Sequence, residues 1–239
     1  MSCILNIETS TSVCSVALSM DGEVLFAKAS FDGPSHAALL GVFVEEALSV
    51  LKKKGKKALD AVAVSSGPGS YTGLRIGVSV AKGLCFGFGI PLIGIHTLDI
   101  MAATVNSKGD SQIVSITDNC LYCAMLDARR MEVYAAIYDA SLKPVRETKA
   151  DIVEVGTYAS YLEKGKVCFF GNGASKCKSV ITSPNAIFIK DIHPLAVNMI
   201  PLSEQAFAAG KFEDTAYFEP FYLKEFQATV AKNKVLLAR

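Results

Sequence analysis

Short apolar runs divide the first part of the chain into predicted strands. Runs at 3–8, 13–19 and 24–30 have the length and composition of strands, and Asp21-Gly22 between the second and third is typical of a tight hairpin turn. Hydrophobic residues then recur at helical spacing from His36 to Lys54, ahead of a glycine that can end a helix. The pattern predicts three strands followed by an amphipathic helix.

Strands and helices continue to alternate up to position 105. Residues 59–66 and 90–95 read as buried strands, while 74–88 and 96–105 read as helices. Strands separated by helices are typical of a mixed sheet with a parallel part and a helical cover. We therefore expect an α/β fold.

The second half of the chain repeats this arrangement. Asp127 ends an apolar run before a short loop and a second strand, as Glu8 does near the N-terminus. The repetition predicts two duplicated sub-domains, 1–105 and 106–239. The remaining segments, including the helix-like stretch 203–210, are expected to complete the second sub-domain.

Composition limits the classes of function. The chain has 239 residues, 51% of them hydrophobic, and a formal net charge of +1, so it can bury a large core but has little general attraction for RNA. The sequence shows no signal-peptide pattern and no 18-residue apolar run, which favours a cytoplasmic protein without membrane contact. Seven scattered cysteines favour reduced core thiols, and for the lone pair Cys120 and Cys123 this interpretation outweighs a zinc half-site or a redox pair.

The glycine-rich stretch "SSGPGSYTGLRIG", residues 65–77, is the strongest candidate motif. A Walker A loop needs Gly-Lys-Ser/Thr after four intervening residues, and a dinucleotide fingerprint needs its third glycine at 72, where threonine stands. Both standard nucleotide motifs are therefore excluded. The stretch remains either a tight strand-to-helix turn or a backbone site for an anion at a helix N-terminus.

Several motifs in one order carry a family resemblance. The segments "ILNIETSTSVCSVAL", "GPGSYTGLRIG", "IPLIGIHTLDIMA", "LDARRMEVYAAIY" and "EPFYLKE" make the chain similar to the TsaB (YeaZ) family. The resemblance implies two duplicated sub-domains of the actin, Hsc70 and sugar-kinase type, with RNase H-like sheets. It also implies a cytoplasmic, non-catalytic scaffold that docks its paralogue TsaD and, with it, the ATPase TsaE.

The resemblance also implies the reaction and the assembly. TsaD transfers a threonylcarbamoyl group to the adenosine beside the anticodon of ANN-decoding tRNAs. The resemblance implies that this chain meets tRNA only through the complex and forms a homodimer without its partner. Direct tRNA contact through Arg129, Arg130 or the lysines at 52–57 is the weaker alternative, because a few exposed cations are normal on a protein surface. The alternative is an ATP-dependent kinase or a glycopeptidase-like enzyme of the same fold, for which the sequence displays neither paired histidines nor an activated nucleophile.

Positions that hold a nucleotide in active proteins of this fold are degenerate here. Glu8 stands where such proteins use aspartate, and hydroxyl residues replace the glycines that wrap phosphates. The resemblance implies no cofactor held by this chain alone and leaves open a nucleotide at an interface shared with its partners. The candidate positions are Glu8, Thr9, Ser10, Gly67, Gly69, Gly171 and Gly173.

The metal site and the docking surface follow from the same resemblance. The two metal-binding histidines of TsaD align with Thr97 and Met101, which are not metal ligands, so no metal is expected. Docking and self-association in the family use two N-terminal helices, here about 36–54 and 75–88. The candidate interface residues on them are Val42, Arg75, Val78, Phe86 and Phe88.

Overall fold

The computed structural model describes residues 2–33, 35–55, 58–107 and 120–224. Five strands form the first sheet: β1 (Cys3–Glu8), β2 (Cys14–Met20), β3 (Glu23–Ser30), β4 (Ala61–Gly67) and β5 (Leu92–His96). Their order in the sheet is β3-β2-β1-β4-β5. The strands β1 to β3 pair antiparallel, β4 pairs parallel with β1, and β5 pairs parallel with β4.

The second sheet repeats this order and these directions. Its strands are β6 (Leu121–Asp127), β7 (Glu132–Tyr138), β8 (Pro144–Ile152), β9 (Val167–Phe170) and β10 (Ala186–Ile189). Their order is β10-β9-β6-β7-β8, in which β6 to β8 pair antiparallel, β9 pairs parallel with β6, and β10 pairs parallel with β9. The matching strand orders of the two halves confirm the predicted α/β fold with two duplicated sub-domains.

Helices cover both sheets. They are α1 (His36–Lys53), α2 (Tyr71–Phe88), α3 (Thr97–Ser107), α4 (Ala159–Leu162), α5 (Ala174–Cys177) and α6 (Ala196–Ala208). The helices α1 and α2 pack against one face of the first sheet, where Leu40 and Phe43 meet Leu5 and Ile7 in a shared core. Burial of this apolar face is the main force that holds the two helices on the sheet.

Two helices cross between the halves of the chain. Met101 of α3 packs with Phe170 of the second sheet, whereas Met199 of α6 packs with Ile4 and Ile93 of the first. The prediction that the helix near 203–210 completes the second sub-domain is wrong in both place and bounds, because α6 begins at Ala196 and covers the first sheet. The proposed sub-domain boundary at 105/106 falls inside α3, shortly before the undescribed residues 108–119, and stays a prediction.

The helix α2 also begins earlier than the sequence predicts. Ser70 is the N-cap, and its Oγ accepts a hydrogen bond from the Gly73 N–H at 3.2 Å, so Tyr71 rather than residue 74 or 75 opens the helix. Gly73 and Gly77 are therefore helical residues and not part of a turn. None of the helices in the described ranges is long and apolar enough to cross a bilayer.

Candidate functional site

The end of β1 carries a fully buried acid. Glu8 has no exposed surface, and its Oε1 accepts hydrogen bonds from the backbone N–H and the Oγ of Ser10, both at 2.5 Å. Desolvation raises the pKa of Glu8 to about 7, against the lowering effect of the hydrogen bonds from Ser10 and Ser65. Oε2 has no hydrogen-bond partner among the described residues, so nothing at that oxygen offsets the desolvation of the charged form.

The glycines of α2 accommodate the loop that follows β1. A Cβ on Gly73 would overlap the Thr9 carbonyl oxygen, and one on Gly77 would overlap the Thr9 hydroxyl. A Cβ on Gly69 would overlap the Ser10 carbonyl oxygen, which accepts the Ser70 N–H at 2.6 Å. The space beside these glycines, which a phosphate would need for close contact with the backbone, is thus filled by the chain's own loop.

Gly67 has a different neighbour. Its φ is +107°, and a Cβ there would lie 2.8 Å from the carbonyl oxygen of Phe221. The Phe221 N–H in turn donates to the Ser66 carbonyl at 2.7 Å. Glycine at 67 therefore lets a distant C-terminal segment pass against the end of β4.

We call residues 211–224 the C-terminal strap. The strap is attached to the β5 edge by the Glu213 N–H, which donates to the Leu92 carbonyl at 2.8 Å, and to α2 by Lys82 Nζ, which donates to the Phe218 carbonyl at 3.2 Å. Its last described residue, Lys224, forms an ion pair with Glu132 of β7. The strap thus contacts both halves of the molecule. In the sequence, only the motif "EPFYLKE" marked this segment as noteworthy, and it did not indicate these contacts.

The corresponding loops of the second half are also closely packed. A Cβ on Gly171 would overlap the Met125 carbonyl oxygen, and one on Gly173 would lie 2.8 Å from the carbonyl carbon of Leu126. Asp127, the counterpart of Glu8, is exposed and paired with Lys176 at 2.5 Å. Apart from Gly67, the predicted nucleotide-site residues therefore fall into two closely packed groups. Glu8, Thr9 and Ser10 lie with Gly69 in the first half of the chain, and Gly171 lies with Gly173 in the second.

The positions of a metal site carry no ligands. Thr97 and Met101 are both fully buried, and the described part of the chain contains no group of three His, Cys, Asp or Glu side chains able to hold a metal ion. Burial raises the pKa of Cys123, while the Sγ of Cys120 lies 2.8 Å from the Sγ of Cys168. Cys120 and Cys123 are both buried, as expected of core thiols.

A cavity of about 310 Å³ lies beside α3 and was not foreseen from the sequence. Asp99 and Glu147 line it, together with Tyr138, whose hydroxyl donates to Asp99 at 2.6 Å. His96 and Phe221 close one side, with their rings edge to face at 5.6 Å. The cavity contains none of the predicted site residues.

The helices α1 and α2 expose large apolar side chains. Phe86 is 89% exposed, Phe88 52% and Val42 47%. Arg75 is exposed as well, and its guanidinium donates to the Tyr71 hydroxyl at 2.8 Å. Val78 is wrong as an interface candidate, because it is 5% exposed and lies in the core between α2 and the sheet.

Comparison with known proteins identifies the family. The family model of TsaD, tRNA N6-adenosine threonylcarbamoyltransferase, matches residues 32–232. A relative from Escherichia coli strain K12, tRNA threonylcarbamoyladenosine biosynthesis protein TsaB, is 31% identical over 92% of this chain and 94% of its own length. The chain belongs to the TsaB (YeaZ) family.

Solved structures agree with membership of the TsaB family. A Pseudomonas aeruginosa protein described as similar to peptidase YEAZ superposes with a TM-score of 0.77, at 26% identity, covering 94% of this chain and 100% of that one. A Nitratidesulfovibrio vulgaris tRNA N6-adenosine threonylcarbamoyltransferase is 38% identical, but over 41% of this chain and 31% of its own length. The pairwise similarity to the Escherichia coli TsaB relative thus extends over more of the chain than the similarity to this individual transferase.

Proposed function

We propose that this TsaB-family chain is a non-catalytic subunit of the tRNA threonylcarbamoyl transferase and docks a TsaD-type partner through α1 and α2. The observation that carries the proposal is the exposure of Val42, Phe86 and Phe88 on these helices. Burying apolar surface yields about 25 cal/mol per Å², so a partner that covers these side chains is stabilised by the hydrophobic effect. The same face would serve a homodimer in the partner's absence.

The interior loops support a scaffold more than an enzyme. Thr97 and Met101 offer no metal ligands where the transferase resemblance places them, and Glu8 is held by its own loop. We infer that any nucleotide in the assembly binds at an interface shared with TsaD or TsaE, in the cytoplasm where tRNA is modified. The tRNA substrate is then modified by the complex, whose catalytic groups belong to TsaD.

Three aspartates on this face are expected to abolish docking. The variant Val42→Asp/Phe86→Asp/Phe88→Asp places charges where apolar contacts are needed, and we expect the affinity for a TsaD-type partner to fall about 100-fold or more. Affinity purification with a tagged TsaD-type protein measures the effect. Threonylcarbamoylation of tRNA, reconstituted with TsaD, TsaE and the threonylcarbamoyl donor, should fall with it.

Val155→Asp is the matched control. Val155 is 90% exposed and lies in the second half of the chain, so the same apolar-to-acid change there should leave docking and modification intact. Retained co-purification of the triple variant would refute the assigned surface. Full tRNA modification without this chain, or ATP hydrolysis by the purified chain that Glu8→Ala abolishes, would refute the scaffold function itself.

A further inference from the structure

The hairpin between β6 and β7 has an unusual pair of residues at its tip. Arg129 and Arg130 have φ values of +68° and +46°, and they are the only adjacent non-glycine residues with positive φ in the described part of the chain. The left-handed region is unfavourable for a residue with a Cβ, and glycine or asparagine adopts it at lower cost. Two arginines therefore stand where folding alone would favour other residues, and such strain is concentrated at functional sites.

The backbone of the tip is held firmly. The Arg129 N–H donates to Asp127 Oδ1 at 2.9 Å, and the Ala128 N–H donates to the Glu132 carbonyl at 3.0 Å. Lys176 Nζ donates to the Glu132 carbonyl at 2.6 Å and contacts the Arg129 carbonyl at 3.4 Å. These bonds fix the point from which both guanidinium groups extend, and a fixed origin lowers the entropic cost of binding.

The charges around the tip leave the arginines uncompensated. Lys176 already pairs with Asp127 and Lys224 with Glu132, so the nearby carboxylates are neutralised. Arg129 and Arg130 are both exposed, and no acidic side chain among the described residues forms an ion pair with either. Two positive charges are thus presented side by side to the solvent.

We propose that Arg129 and Arg130 form a binding site for RNA phosphodiester groups, so that this chain contacts tRNA directly and not, as the family resemblance implies, only through the complex. The guanidinium fork matches phosphate oxygens in a bidentate geometry, and two neighbouring arginines suit two phosphates of one strand. The net charge of +1 gives the chain little general affinity for polyanions, so any such affinity depends on local groups of cations such as this pair. The choice of RNA rests on the proposed function in tRNA modification, whereas the anion site itself does not.

Binding of a tRNA transcript to the isolated full-length chain tests the site. Fluorescence anisotropy is measured between about 50 and about 200 mM KCl for the native chain and for Arg129→Asn/Arg130→Gly. We expect the variant to bind about tenfold more weakly, and its plot of log K against log salt to be shallower by about 1.5, as for the loss of two phosphate contacts. The variant should melt at the same or a higher temperature, because asparagine and glycine fit the positive φ values.

The double variant Lys164→Gln/Lys166→Gln is the charge control. Both lysines are exposed in the second half of the chain, so this variant removes the same charge elsewhere and should bind tRNA within about twofold of the native chain. Native-like tRNA binding by the tip variant overturns the proposal. Unchanged RNA affinity combined with loss of TsaD capture would assign the arginines to an acidic protein surface instead and also overturns it. Because no partner is present in the binding assay, failure of docking through α1 and α2 is detected separately.

Discussion

Gly73→Ala is expected to destabilise the chain by more than about 3 kcal/mol, although alanine is the better helix former. Gly73 is buried within α2, and a Cβ there would overlap the carbonyl oxygen of Thr9. The loop cannot move away easily, because the Thr9 hydroxyl donates to the Gly73 carbonyl at 2.8 Å and the Ser70 N–H donates to the Ser10 carbonyl. Urea unfolding followed by circular dichroism measures the loss.

Gly83→Ala is the matched control on the same helix. Gly83 is exposed, and nothing lies within 4 Å of the position that its Cβ would take. The same substitution there should stabilise the chain by about 0.5–1 kcal/mol, through helix propensity alone. Equal stabilities for the two variants would contradict the packing of the β1 loop on α2.

Replacing Glu8 with glutamine is expected to remove much of the pH dependence of stability between about pH 5 and pH 8. Burial raises the pKa of Glu8 from 4.5 to about 7, so in this interval the folded chain binds more protons than the unfolded chain. The contribution of Glu8 to the free energy of unfolding is therefore fully present at low pH and is lost as the pH rises through 7. The loss for the native chain is about 2–3 kcal/mol, since one pKa unit corresponds to about 1.4 kcal/mol.

The comparison is made on differences between variants. The free energy of unfolding is measured at pH 5 and pH 8 for the native chain, Glu8→Gln and Glu8→Ala. Both variants should lack the contribution of Glu8 to the pH dependence of stability. Glu8→Ala should be less stable than Glu8→Gln at both pH values, because it leaves a cavity and unsatisfied hydrogen-bond donors on Ser10. A native chain whose stability changes with pH no more than that of Glu8→Gln would show that Glu8 is ionised in the fold.

The variants at Gly73 and Glu8 also test whether the loop after β1 has a structural role. Glu8, at the end of β1, accepts hydrogen bonds from Ser10 in the loop that follows. The glycines of α2 leave room for the backbone of that loop. Groups that could contact a ligand are thereby used to hold β1 against α2. This is consistent with the proposed scaffold function, in which the outer faces of α1 and α2 make the contacts that matter.

Much of the fold follows from local pattern. The apolar runs at 3–8 and 59–66, the helical spacing from His36 and the Asp21-Gly22 turn each specify an element through neighbouring residues, and the repeat at Asp127 specifies the duplication. Spacing alone also excluded the Walker A and dinucleotide motifs. Such features depend on side-chain period and turn chemistry, which are written within a few consecutive positions.

The tertiary structure alone decided what the glycines and the surface residues do. The sequence pattern suggests that Gly73 is a turn residue, but it lies inside α2. Glycine is required there because the carbonyl oxygen of Thr9, more than sixty positions earlier, occupies the position of a Cβ. Val78 and Phe86 are apolar residues of one helix, yet the sheet buries the first and leaves the second exposed. The position of α6 on the first sheet and the path of the strap past Gly67 likewise depend on contacts between distant segments. Sequence period reports which residues share a face, but only the packed chain determines what that face meets.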